Sequence, residues 1–324
     1  MTASELPTCS VVIAAYQAAH VIGDAVASAL GQTRPPLEII ICNDGSTDDL
    51  HAALTPYADR VMIIDQPNMG EAGAKNRAAA AASGDLIAFL DADDVFLPRR
   101  LEAVSALAAA HRGHDLFTTD AYLVVDRARV RHCFTDDFQF EAVNQRAAIL
   151  ERNFLPFAVV RRSAFMRVGG FDETLRDVPD WELWMRLILD GATAGFINEP
   201  LAEYRVGLRN VTASRVRLYR GKIVVLERAQ ARADLSPEER ALIAHRLRDA
   251  RRDLTLHMAR DAVRNANNAR HACGQLLLTP GVSLTARVNA LAGLIAPGWA
   301  RRALLRREQL HGVEVTAGLR IAPL

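Results

Sequence analysis

The stretch Gly84-Asp-Leu-Ile-Ala-Phe-Leu-Asp-Ala-Asp-Asp94 decides the fold. Its apolar run, Asp85 to Leu90, has the length of one buried strand, and it stops abruptly in a cluster of carboxylates. Working back from it, an Ala-rich segment from Glu71 to Ala82 reads as a helix, stopped by Ser83-Gly84. Arg60–Asp65 and Leu37–Cys42 read as earlier strands, and Ser10–Ala15 as the first. Val21, Ile22, Ala25, Val26, Ala29 and Leu30 recur at helical spacing between the first two strands. Strands alternating with helices predict parallel pairing through right-handed crossovers, hence an open α/β sheet. Such sheets bind ligands at the carboxyl ends of their strands, where this chain places its polar loops.

Beyond Leu116 the alternation loosens. Ala121–Phe134 predicts an antiparallel addition, and Trp181–Asp190 a helix with both tryptophans on its core face. From Arg215 the composition turns to Arg, Ala and Leu at helical spacing, broken near Ser236-Pro237 and Pro280-Gly281. The reading is therefore a domain over 1–214 and a basic helical region over 215–324. Of 324 residues 50% are hydrophobic and 24% charged, which excludes a generally disordered chain. The net charge of +1 argues against a nucleic-acid partner. That balance conceals an asymmetry, because residues 215–324 hold 20 Lys+Arg against 9 Asp+Glu. The four cysteines form no CxxC pair and read as reduced thiols of a cytoplasmic protein. MTASELPTCS has no signal-peptide pattern, and Val288–Ala300 is too short to span a bilayer.

Four segments could carry chemistry. Asp91 and Asp93, two residues apart at a strand end, can turn toward one bound group; Mg²⁺ commonly takes one or two carboxylates plus substrate phosphates. Asn43-Asp-Gly-Ser-Thr-Asp48 follows a strand, where Asp44 could accept from a base or ribose; the same residues are also turn and cap formers. Asn68-Met-Gly-Glu-Ala-Gly-Ala-Lys-Asn-Arg77 opens a helix with glycines and brings Lys75, but has neither dinucleotide nor P-loop spacing. Asp180 could act as a general base or as the N-cap of the helix beginning near Trp181.

Taken in order, Val11-Val-Ile-Ala-Ala-Tyr16, Asn43 to Asp48, Asn68 to Asn76 and Gly84 to Asp94 resemble the inverting family-2 glycosyltransferases. Gly169-Gly-Phe-Asp-Glu173 and Pro179-Asp-Trp-Glu-Leu-Trp-Met-Arg186 look like that family's acceptor-side motif, and the likeness runs over about residues 8–214. The resemblance implies a GT-A fold, a nucleotide-sugar donor, a UDP-sugar by preference, and Mn²⁺ or Mg²⁺. It implies that Ala15 and Tyr16 lie in the loop at the base and that Asp44 bonds it. Lys75 would contact nucleotide or diphosphate, Asp91 the ribose, and Asp93 the metal, with Asp180 as catalytic base. The implied acceptor is a hydroxyl of a glycan or lipid-linked glycan in a bacterial cell envelope. The chain departs from the usual pattern at Ala14 and Gln17, at Lys75 where Arg is usual, at Pro179, and at Gly207 where His is common.

Two other readings remain open. Phe89-Leu-Asp-Ala-Asp-Asp-Val95 resembles the nucleophile strand of haloacid-dehalogenase-like phosphatases, but it falls on the fourth strand, and the only later lysine is Lys222. A non-catalytic nucleotide-sugar scaffold would keep the same fold. At the C-terminal end, Arg301, Arg302, Arg306 and Arg307 flank Leu304 and Leu305 behind an apolar stretch. That end either packs on the catalytic domain or lies on an anionic membrane surface at the inner face of the plasma membrane.

Overall fold

The computed structural model describes residues 6–205 and 215–315, so Gly207 and the side chain of Arg307 fall outside what it describes. The chain divides into two compact units, with the division at Asn210 and Val211.

In the first unit, β1 (Cys9–Ala15), β2 (Glu38–Asp44), β3 (Met62–Gln66) and β4 (Leu86–Phe89) pair in parallel in the order β3-β2-β1-β4. Three of these runs are nearly continuous apolar sequence because helices cover both faces of the sheet. The strand period of two sorts their side chains. Val11, Ile13, Ile39, Ile41, Leu86 and Ala88 join the core formed with α1 (Ile22–Leu30) and α4 (Arg100–Ala110). The opposite face packs on α3 (Glu71–Ala81), whose buried residues are Ala72, Gly73, Ala74, Lys75, Ala78 and Ala79. Small side chains let this helix lie close to the sheet.

The sheet then changes character. β4 pairs antiparallel with β8 (Val159–Arg161), which pairs antiparallel with β6 (Leu116–Val125); β6 runs parallel to β9 (Ala194–Arg205), and β9 antiparallel to β5 (Val95–Phe96). The expected antiparallel addition is the hairpin of β6 with β7 (Ala128–His132). The architecture is thus a mixed α/β sheet with a parallel N-terminal half flanked by helices. Short α2 (Leu50–Leu54), α5 (Gln145–Glu151) and α6 (Arg162–Arg167) fill the connections.

One boundary differs from the sequence reading in a way that bears on function. α7 spans Pro179–Leu189, beginning two residues before Trp181, and its N-cap is Val178. Proline is favoured at the first helical position. Asp180 is therefore in the first turn and is not the N-cap.

The second unit is helical: α8 (Arg215–Gln230), α9 (Pro237–Arg264), α10 (Ala269–Leu278), α11 (Leu284–Ile295) and α12 (Pro297–Val315). The expected break at Ser236-Pro237 is a capping box, with Ser236 accepting from Glu239 N and the Glu239 carboxylate accepting from Ser236 N. A small core joins Ala259, Val263, Ala269, Cys273, Leu276 and Ala290.

Candidate active site

The loop after β2 is built on its own polar residues. Asn43 donates to Asp65 at 2.7 Å and accepts from Ser46 N. Gln17, at φ 53°, staples this loop to the one after β1: its Oε1 accepts from Thr47 N and Asp48 N, and its Nε2 donates to Thr47 Oγ1. The ring of Tyr16 is left exposed beside this staple, whereas the methyl of Ala15 is buried in the core. Only the main chain of Ala15 is available at the strand end.

Asp44 is buried and already bonded. Its Oδ1 accepts from Gln66 Nε2 and Met69 N, and its Oδ2 from Gly70 N, each at 2.8 Å. Gly70, at φ 87°, is the N-cap of α3, so the carboxylate pins the entry to that helix. A carboxylate has about four acceptor positions, so Oδ2 keeps capacity for one further donor. The Arg176 guanidinium lies against Gly70, where an added Cβ would meet it at 3.0 Å.

One turn into α3, Lys75 is buried and doubly paired, at 2.5 Å from Glu71 Oε1 and 2.8 Å from Asp91 Oδ1. Burial disfavours its charge, but Asp91 and Glu71 outweigh that and hold its pKa well above the ordinary lysine value. Asp91 itself is half exposed at the end of β4. Asp93 is exposed, and within the described structure its carboxyl takes a hydrogen bond only from its own backbone. Its pKa is raised by desolvation, then by Asp91 and Glu71, against Lys75.

Asp94 is fully buried and accepts from Arg205 N at 2.8 Å. Burial followed by Asp91 and Asp93 lifts its pKa well above the carboxylate range. Tyr204 is pushed up by burial and then by Asp94, Asp91, Asp93 and Asp180. All these carboxylates therefore act on one region.

Asp180 is electrostatically joined to the same cluster through Lys75, Glu71 and Asp91. Its Oδ2 accepts from Asn153 Nδ2 at 2.8 Å. Burial raises its pKa; Lys75 pulls it down, and Glu71 and Asp91 push it up. Its position depends on aromatic packing. Phe89, at the end of β4, lies 5.0 Å from Phe171, 5.6 Å from Phe165 and 6.3 Å from Trp184 between ring centroids. Trp181 and Trp184 are both buried, as expected of core residues. Arg186 donates to the carbonyls of Val168 and Gly170, and Asn76 both donates to Phe171 O and accepts from Phe171 N. Gly170 is required there: its φ is 73°, and a Cβ would approach Asn76 Oδ1 to 2.5 Å. Immediately before Asp180, Val178 holds φ 51° and ψ 44°, a left-handed conformation that is costly for a β-branched residue.

The structure thus gathers Lys75, Asp91, Asp93 and Asp180, and links Asp44 to them through α3. Glu71, Asn153, Asp94, Tyr204 and Arg176 were not singled out from sequence as site residues. Glu71 stands four residues before Lys75, a helical pairing spacing that could have been read; Asn153 and Arg176 carry no such local signal.

Residues 10–169 match the family model described as glycosyl transferase family 2. A curated relative is UDP-Glc:alpha-D-GlcNAc-diphosphoundecaprenol beta-1,3-glucosyltransferase WfaP of Escherichia coli, 29% identical over 211 residues, covering 64% of this chain and 80% of its own length. Among solved structures, S. aureus TarS 1-349 in complex with UDP-GlcNAc superposes with a TM-score of 0.61 at 15% identity, covering 94% of this chain and 92% of that one. Mannosyltransferase PcManGT from Pyrobaculum calidifontis, in complex with GDP-Man and Mn²⁺, gives 0.59 at 18% identity, covering 95% and 87%. The fold is that of the GT-A glycosyltransferases. Residues 10–169, about half of the chain, thus form a glycosyl transferase family 2 segment. It spans between 19% and 58% of the length of the first curated relatives it matches.

Proposed function

We propose that the protein is an inverting glycosyltransferase that moves a sugar from a nucleoside-diphosphate donor, a UDP-sugar by preference, to a hydroxyl of a glycan or lipid-linked acceptor. The observation that carries this reading is the charge layout. Asp91 acts on Asp93, Asp94 and Asp180, Glu71 acts on Asp93 and Asp180, and the cation common to them is Lys75, which is paired directly with Glu71 and Asp91. A nucleoside diphosphate is itself an anion, so a region this acidic favours it only together with a cation. Asp93, exposed and without a side-chain partner, fits as the protein ligand of Mn²⁺ or Mg²⁺, with phosphate oxygens and water as the remaining ligands. Among the described residues no three His, Cys, Asp or Glu side chains are grouped to hold a metal ion by themselves. When bound, such an ion supplies Lewis-acid neutralisation of the departing diphosphate.

The chain's own residues do the rest. Tyr16 and the main chain at Ala15 face the base, and the spare acceptor position of Asp44 receives its N–H. Lys75 fixes the carboxylate of Asp91 toward the ribose. Asn153 orients Asp180, whose raised pKa makes it a better proton acceptor than an ordinary carboxylate. The acceptor oxygen attacks the anomeric carbon as its proton passes to Asp180. The bond from that carbon to the diphosphate oxygen breaks, and the electron pair leaves with the nucleoside diphosphate. One displacement inverts the anomeric centre.

The WfaP name, with its lipid diphosphate acceptor, and the UDP-GlcNAc complex of TarS support the donor and acceptor classes. The test is incubation with UDP-sugars, Mn²⁺ and a lipid-diphosphate sugar acceptor, with NMR of the product. Transfer with inversion is the expected result. Donor binding without transfer to acceptor or water would favour a non-catalytic scaffold.

A further inference from the structure

Helix α11 places its large and small apolar residues opposite to the usual arrangement. Its buried side is Ala290 and Gly293, where an added Cβ would come within 2.5 Å of Cys273 Sγ. Its solvent side carries Leu284, Val288, Leu291 and Ile295 at i, i+4, i+7 and i+11, a single stripe along the helix. Leu284 is 78% exposed and Ile295 67%. The flanking residues continue the pattern, with Leu278 at the end of α10 86% exposed and Trp299 at the start of α12 60% exposed. Single exposed apolar residues are ordinary, but a run of large ones along one helix face marks an interaction surface.

Charge identifies the occupant. Between Asp261 and Glu308 the sequence contains seven arginines and no carboxylate. Arg287 is spent locally, donating to the carbonyls of Leu277, Thr279 and Val282 and closing the turn between α10 and α11. Arg301 donates through Nε to Arg264 O. Arg270, Arg302 and Arg306 are exposed. Of the seven, Arg264 is paired with Asp261 at 3.1 Å, and the excess of arginine over acid lies with the others. An apolar stripe with an exposed tryptophan and an excess of arginine over acid is the pattern of a helix lying in the boundary between headgroups and acyl chains. A second copy of the same surface would bring like charges together. No helix among the described residues is long and apolar enough to cross a membrane, so the contact would be peripheral.

We infer that the α11 face, with Leu278, Trp299, Arg302 and Arg306, docks on an anionic lipid bilayer. This does not rest on the transfer reading, and its test uses no activity. The full chain is sedimented with vesicles of phosphatidylcholine alone and of phosphatidylcholine mixed with phosphatidylglycerol, at low and high salt. The expected result is binding to the anionic vesicles, weakened by salt and at least about ten-fold weaker on neutral ones. Leu291→Glu with Ile295→Glu, at exposed positions, should abolish binding with helix content unchanged. Arg302→Glu with Arg306→Glu should weaken it about ten-fold or more. Failure of the wild-type chain to bind anionic vesicles, or unchanged binding by the Leu291/Ile295 variant, would overturn the inference. So would light scattering showing a dimer that this variant converts to monomer, which would make the face a self-association interface.

Discussion

The ammonium of Lys75 lies 2.8 Å from Asp91 Oδ1, joining the buried face of α3 to the strand end that carries the acidic cluster. Its second partner, Glu71, comes from its own helix. Lys75 is thus a cross-brace that sets the direction of Asp91 and dilutes the negative charge felt by Asp93 and Asp180. Removing it as Lys75→Met leaves two unpaired carboxylates. Loss of one partner of a fully buried pair costs about 3–5 kcal/mol. Glu71 and Asp91 are half exposed, so about 2 kcal/mol is expected here, read as a fall of several degrees in thermal unfolding. Lys75→Arg keeps the charge and should lose less stability. Equal destabilisation by both would show that fit, not charge, is what matters at this site.

Asp180→Asn should lower kcat by about 10²–10⁴ while leaving donor binding intact. In the wild-type enzyme the acid limb of the kcat profile should lie above the pH expected of a free aspartate, because the pKa is raised and the base form is lost as pH falls through it. Glu71→Gln removes one of the charges that raise it and should move the limb to lower pH. The stability sign is opposite. A carboxyl with a raised folded-state pKa gives its stabilisation below its unfolded pKa and loses it as pH rises through the folded one. Asp180→Asn should therefore raise the melting temperature more at pH 8 than at pH 5. A variant equally stable relative to wild type at both values would contradict the raised pKa.

Val178 at φ 51° is a strained entry to α7. Glycine adopts that conformation freely, so Val178→Gly should be near neutral or stabilising by up to about 1 kcal/mol, despite glycine's entropy cost. It should also loosen the direction of Asp180 and lower kcat several-fold with KM little changed. A lower melting temperature with unchanged kcat would show that the strain is not coupled to the base.

Asn153→Ala removes the donor to Asp180 Oδ2. Losing a hydrogen bond to the charged form shifts the acid limb to higher pH, and kcat at its plateau should fall by about ten-fold. Asn153→Asp would place a second carboxylate there and should shift the limb further in the same direction. No movement of the limb in either variant would make Asn153 a packing residue only.

The parallel half of the sheet was legible because β1, β2 and β4 are short apolar runs ending in polar loops, a pattern set by burial on both faces. β8 escaped because it has only three residues, and β9 because Pro200 and the bulges against β6 interrupt its alternation. Asp91, Asp93 and Asp180 could be marked by residue type, position and resemblance. The cross-brace of Lys75 and the bond from Asn153 to Asp180 could not, since they join positions 16 and 27 residues apart through tertiary packing. The helix start at Pro179 was missed because Trp181 begins the apolar periodicity, whereas the structure begins the helix on the residue whose φ is already fixed.

Binding of a nucleoside diphosphate by this acidic cluster through a divalent ion on Asp93 is measured by thermal unfolding with UDP and other nucleoside diphosphates, each with and without Mn²⁺. At about 100 times its dissociation constant a ligand adds about 2.7 kcal/mol, a shift of several degrees. That shift is expected only when nucleotide and Mn²⁺ are present together, and it should be lost in Asp93→Ala. The same shift without Mn²⁺, or undiminished in Asp93→Ala, would contradict this mode of binding, as would no shift with any nucleotide.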